Sequence, residues 1–214
     1  MSLSLYSPPA VFLLGAFSSV PDLVERERPI DSKVSVDESA DLMNRVRSGD
    51  ETALTNLIDR WKTPLFRFFH RSLRSHADSE ELTQQVFIKL HGSAHRYKPT
   101  AKFSTYLFTI ARNLLLDEIK RRNRRPVDTV DPAELNIATP GRDPRDEIEE
   151  ALEICLDRLP ETHRTSLLLR VQRELSYKEI SNIMKATESV VKTWIHRARQ
   201  QARKSLDDLR DTSS

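Results

Sequence analysis

One cysteine, Cys155, and four glycines are all that this 214-residue chain holds of either residue. A lone thiol excludes an internal disulfide and any cysteine-rich zinc site, and it suits a reducing, cytoplasmic setting. Cys155 shares a helical stripe with Leu152, Leu156 and Leu159 and reads as a small buried apolar residue. The glycines form no phosphate-cradling loop. The six histidines, His70, His76, His91, His95, His163 and His196, are scattered without the spacing of metal ligands, and no nucleophile has a base beside it. No catalysis, metal or cofactor is therefore expected, and His163 in "PETHR" reads as a helix-surface residue. Long apolar runs are missing too. The longest, Ala10 to Phe17, is far too short for a membrane span, and residues 1–9 lack the Lys or Arg that opens a secretion signal. No segment alternates apolar and polar residues for long enough to argue for a sheet. Charge of one sign is also lacking: 34 Lys and Arg against 32 Asp and Glu leave a net +2. Any anionic partner has to be argued from where the bases lie.

What is present is helical periodicity in two blocks. Residues 1–38 carry Pro8, Pro9, Pro21 and Pro29 with no sustained period and read as a poorly ordered extension, or as a start site placed too early. From Ser39, Leu42 and Val46 open a first helix that stops at Gly49. Asp50 then caps a second, with Ala53, Leu54, Leu57, Ile58 and Trp61 on one face. Thr63-Pro64 predicts a new or kinked helix over Leu65 to Leu73. Asp78-Ser-Glu-Glu81 opens "ELTQQVFIKLHG", which closes at Gly92. A basic, aromatic loop from His95 to Lys102 leads into one long helix that ends before Pro126. Residues 126–147 then hold four prolines and six acids against two bases, the composition of an acidic linker. Periodicity resumes at Ile148, breaks at Leu159-Pro160 and restarts through "ETHRTSLLLRVQ". The fold expected is all-α, with domains at 39–125 and 147–210 joined by a linker at 126–146.

Two places concentrate base. Ile119 to Arg125 has five bases in seven residues at a helix C-terminus. One or two would answer the helix dipole; five adjacent ones build a field suited to phosphate. Just upstream, Tyr97, Phe103, Tyr106 and Phe108 are interleaved with Lys98, Lys102 and Arg112. Exposed rings beside cations are the ingredients of single-strand binding. Phe103, Leu107, Ile110 and Leu114 recur at core spacing, and Tyr106 and Arg112 fall off that stripe.

The second place is "LSYKEISNIMKATESVVKTWIHRARQQARKSL", residues 175–206. Ser176 and Glu179 make a capping box that starts a helix with Ile180, Ile183 and Met184 inward. Lys185 to Glu188 turns, and Ser189 can cap the next helix. There Val191, Ile195, Ala198, Ala202 and Leu206 share one face, opposite His196, Thr193, Gln200, Arg203, Arg197 and Lys204. Two short helices joined by a tight turn, the second polar and basic, have helix-turn-helix geometry.

"SEELTQQVFIKLH", "FSTYLFTIARNLLLDEIKRR", "CLDRLPETHRTSLLLR" and "LSYKEISNIMKATESVVKTWIHRAR" resemble, in this order, the bacterial sigma factors of the extracytoplasmic-function group, over roughly residues 39–208. The resemblance implies a two-domain transcription-initiation factor that acts with core RNA polymerase on promoter DNA. It implies polymerase contacts from Glu81, Leu82, Gln84, Gln85, Phe87 and Lys89. Recognition and melting of the minus-ten element would fall to His95, Arg96, Tyr97, Lys98, Lys102, Ser104, Thr105, Tyr106, Thr109, Arg112 and Asn113, with Lys120, Arg121 and Arg124 on adjacent phosphates. The minus-thirty-five element would meet Ser176, Ser189, Val190, Lys192, Thr193, His196, Arg197, Arg199 and Arg203. An unidentified anti-sigma factor is an implied partner; membrane insertion and a small-molecule substrate are not. The chain departs from the family's usual residues at Gln85 (an acid), Tyr106 (a Trp), Lys185 (a turn Gly) and Trp194, which reads as partly buried packing. The competing reading is a stand-alone helix-turn-helix regulator, which leaves "ELTQQVF" and the aromatic-basic helix without a role.

Overall fold

Asp37 is the first described residue and ties two distant helices to each other. The computed structural model describes residues 37–124 and 154–212, with side chains through Lys204, and among them every regular element is a helix. The Asp37 carboxylate accepts from the Ser39 and Ala40 amides, capping α1 (Glu38–Arg47), while its other oxygen accepts from the Phe103 amide at 2.7 Å. Phe103 is the first residue of α4 (Phe103–Arg124), so one side chain satisfies orphan amides at two helix starts. The first folded unit thus reaches back to 37, into the segment expected to be unstructured. Asp37→Ala is expected to lower stability by about 1–2 kcal/mol, the usual cost of a lost N-cap, and Asp37→Asn by clearly less; urea unfolding of the three proteins measures both.

α1 closes where expected. Gly49 has φ +90, a conformation that suits glycine, and Arg45 donates to the Asp50 carboxylate at 2.7 and 2.9 Å. Asp50 caps α2 (Glu51–Leu73) by accepting from Ala53. Of the two expectations at Thr63-Pro64, a new helix is not found: α2 runs its full length with Pro64 inside. The missing amide falls beside Asp59, Arg60, Lys62 and Thr63, all exposed, where water can serve the carbonyl left over. Leu57, Leu65, Phe68 and Phe69, all buried, hold both halves of the helix on one core. After an αL residue, Arg74, α3 (His76–Gly92) starts two residues before Asp78, because Ser75 caps it. A 3-10 turn at Ala94–Arg96 leads to α4.

In the second half, residues 154–157 are helical and α5 (Glu161–Arg173) follows Pro160. α6 (Tyr177–Met184) starts at the expected capping box, with both reciprocal bonds present. Lys185, the turn residue at which the resemblance implies glycine, adopts φ 53 and ψ 45, a left-handed conformation. α7 (Glu188–Thr212) starts two residues earlier than a Ser189 cap would place it, and the Thr187 hydroxyl rather than that of Ser189 accepts from the Val190 amide.

One apolar core runs through both halves, from Met43 and Phe68 to Ile195 and Ala202. Cys155 is wholly buried, as its stripe predicted. The segments 1–36 and 125–153, which include the expected linker and Arg125, lie outside the described residues, as does the Leu206 side chain.

Candidate nucleic-acid interface

The period of α3 divides the residues proposed for polymerase contact. Leu82 and Phe87 lie on the buried face with Thr83, Val86 and Leu90, while Glu81, Gln84 and Lys89 are exposed and Gln85 is half-buried, donating to Glu81 at 2.9 Å. Leu82 and Phe87 are thus core here rather than contact surface. Ile88 was missed: it is 70% exposed, four residues after Gln84 and seven after Glu81, an apolar residue on the polar face. Its position off the core stripe was the available signal.

Of the aromatic set beside the bases, Tyr97 and Phe108 are buried with Phe103, so they are not exposed platforms. Ring packing explains it: Phe108 meets Phe68 at 5.4 Å edge-on and Trp61 at 6.2 Å, and Tyr97 lies 5.1 Å from Tyr106. Burial raises the Tyr97 phenol's pKa, reinforced by the Asp37 charge. Tyr106 keeps a partly open ring, with its hydroxyl 2.7 Å from Ser93 Oγ. With Asn113 and Ile110, which is only half-buried, it lines a groove whose other wall is Ile88, Lys89 and Arg96. Thr105 is also buried, whereas His95, Arg96, Lys98, Lys102 and Asn113 are exposed and Ser104, Thr109 and Arg112 half-buried.

The basic end of α4 is less uniform than its composition. Glu118, 7% exposed, accepts from Arg121 and from Arg122; Arg122 also reaches the Asp78 carboxylate and the Leu73 carbonyl. Arg122 is therefore committed to joining the ends of α2, α3 and α4, Arg121 is held by Glu118 on its own helix, and Lys120, Arg121 and Arg124 are exposed. Burial works to raise the Glu118 pKa, but the two guanidinium bonds outweigh it and hold it below the usual 4.5. A carboxylate with a depressed folded pKa contributes stability above its unfolded pKa and loses it as pH falls through the folded value. Thermal unfolding from pH 6 down to pH 3 should thus show a steep acid limb that is flattened in Glu118→Gln; equal slopes would refute the assignment.

In the second half the predicted core stripe holds, with Val191, Ile195, Ala198 and Ala202 at most 1% exposed. Above it Ser189, Val190, Lys192, Thr193, His196, Arg197 and Arg203 are exposed, and Arg199 is half-buried. Trp194 is half-buried against the core, as expected. Ser176 is spent on its capping box. A residue not anticipated, Tyr177, organises the cations. The Tyr177 ring carries Arg170 at 4.9 Å and Lys192 at 5.4 Å, which holds α5, α6 and α7 together at the start of α7. His163 is half-buried on α5, and burial together with Arg197 lowers its pKa. No group of three metal-ligating side chains and no membrane-crossing helix occurs among the described residues.

Comparison with known proteins agrees with this geometry. Residues 57–125 match the Sigma-70 region 2 family and residues 149–201 the Sigma-70, region 4 family. The ECF RNA polymerase sigma factor SigW of Bacillus subtilis is 31% identical over 182 residues, 78% of this chain and 96% of that one. The fold is that of CnrH, solved in complex with the cytosolic domain of CnrY (TM-score 0.63, 21% identity, 79% and 97% of the two chains). It is also that of RpoE from Bartonella quintana, solved with the anti-sigma factor NepR (TM-score 0.58, 20% identity, 72% and 96%). With both regions in order and a relative matched over nearly its whole length, the chain belongs to the extracytoplasmic-function group of RNA polymerase sigma factors.

Proposed function

We propose that this sigma factor joins core RNA polymerase through the exposed face of α3, opens the minus-ten element with α4 and the loop before it, and reads the minus-thirty-five element with α7. Residues 37–125 form the first working unit and residues 147–210 the second, joined by 126–146. The observation that carries the reading is the basic, polar face of α7 over a fully apolar stripe, in one chain with the groove at Tyr106. Ile88 supplies the apolar anchor of the α3 face, where the surrounding groups are polar. The protein acts in the cytoplasm without catalysis of its own: the polymerase does the chemistry, and the chain supplies base contacts, cations and a ring to hold an unpaired base. An anti-sigma factor, the partner in the NepR complex of its structural relative, is the expected antagonist.

Mixing the purified chain with core polymerase and promoter DNA tests the proposal. Specific initiation that depends on the chain is expected. Tight binding to duplex promoter DNA without core, and no initiation with it, would instead favour a stand-alone regulator.

A further inference from the structure

The ring of Tyr106 is aimed from a second helix. The residue stands in the first turn of α4, where its own helix would leave the ring to its side-chain torsions. Two contacts fix it instead. Tyr97, buried behind it, backs the ring at 5.1 Å and is itself packed on Phe103 at 6.3 Å. At the other end the Tyr106 hydroxyl meets Ser93 Oγ at 2.7 Å. Ser93 is the residue that closes α3, and its backbone is held on both sides: its amide donates to the Lys89 carbonyl at 3.0 Å, and its carbonyl accepts from the Arg96 amide at 3.0 Å. The hydroxyl that meets Tyr106 therefore projects from a fixed point.

The direction of that contact follows by elimination. A serine hydroxyl has one hydrogen to give. Ser93 Oγ lies 2.7 Å from the Lys89 carbonyl and 3.2 Å from that of Leu90, both of which can only accept, so the hydrogen goes there. Tyr106 then donates and Ser93 accepts, which makes a relay from the phenol through Ser93 to the last turn of α3. Successive hydrogen bonds of this kind polarise and strengthen one another. A phenylalanine at 106 could not enter the relay, nor could an alanine at 93. The ring is thereby registered to α3, whose exposed face is proposed to seat on polymerase, and not to α4 alone. The groove beside the ring, of about 570 Å³, has Ile88 and Lys89 of α3 on one wall and Ile110 and Asn113 of α4 on the other. The Tyr106–Ser93 bond joins the two walls.

We propose that Ser93 is a positioning residue for promoter opening: it acts through Tyr106, by holding the ring at the groove where an unpaired base can stack. The proposal deepens the promoter reading and rests on it. Losing the bond leaves the core and the docking face of α3 in place, since Tyr97 and Phe103 keep their own packing. What falls is the share of time that the ring spends in position, and one net hydrogen bond changes such a ratio by about three- to tenfold. The loss is felt in the step that needs the ring, opening, and not in the closed complex, which forms before any base leaves the stack.

The test uses the full chain joined to core polymerase, with closed-complex affinity read by anisotropy in the cold and the opening rate by permanganate reactivity of the melted strand. Ser93→Ala and Tyr106→Phe are each expected to slow opening by about three- to tenfold with closed-complex affinity unchanged. The double variant should be no slower than either, because both remove the same bond. Ser93→Thr, which keeps a hydroxyl able to bond back to the carbonyl four residues earlier, should open at the full rate. Should Ser93→Ala unfold early, Tyr106→Phe leaves the end of α3 intact and carries the test with the threonine rescue. Additive losses in the double variant, losses of affinity that match those in rate, or full-rate opening by Ser93→Ala overturn the positioning role. Tyr106→Ala tells this failure from that of the reading beneath it. It should open slowest of all; opening at the full rate would mean that the ring has no part in melting, whatever holds it.

Discussion

Replacing Phe108 by Ala is expected to cost about 3–5 kcal/mol, the range for removing a fully buried phenylalanine, and to lower Tm by about 10 °C at this chain length. The residue is wholly buried, stands edge-on to Phe68, touches Trp61 and supports Arg173 from the other half. Its loss opens a cavity that the surrounding helices cannot close, because α2 and α4 are fixed at their starts by Asp50 and Asp37. Phe108→Leu keeps most of the volume and should cost below about 1.5 kcal/mol. Urea unfolding followed by Trp fluorescence, with Trp61 against this ring, reads both values. A Phe108→Ala cost under about 1 kcal/mol would mean that the ring is not the joint described.

That joint also shows what could be read in the chain and what could not. Helix starts marked by a short polar residue were legible, since capping is local chemistry: Asp50 and the Ser176–Glu179 box stand where the pattern put them. The core stripe of α7 was legible for the same reason, a period within one helix. Asp37 was not, because its second partner, Phe103, is 66 residues away and no local pattern announces it. Pro64 does not end the helix because its context, buried residues before and after it on one face, outweighs the loss of a single amide bond. Tyr97 and Phe108 look like exposed rings beside bases until neighbouring helices supply the rings that cover them. Among the basic residues, charge density gave the region but not the roles. Arg121 and Arg122 are claimed by Glu118, which sits in the same string and reads there as only one more surface acid.

On α7 the roles can be separated by angle. With Val191 at the centre of the buried stripe, Gln200 lies opposite, flanked by Thr193 and His196, while Arg197 and Arg203 fall about 60° to either side of Gln200. A helix seated in a major groove points its central residues at base edges and its flanks at the two phosphate walls. Both arginines are exposed, and the stripe beneath them fixes the roll of the helix, with Ala198 and Ala202 fully buried. Arg197→Ala and Arg203→Ala should therefore weaken promoter binding by the polymerase complex almost equally on every upstream sequence. Each should also lower the slope of log affinity against log salt by about 0.9, the value for one lost phosphate contact. His196→Ala should do the reverse, costing about 1–3 kcal/mol on the preferred upstream element and little on a scrambled one. Anisotropy titrations of fluorescent promoter and scrambled duplexes across a salt series distinguish the two patterns. An unchanged salt slope in both arginine variants would show that the helix sits in the groove with a different roll.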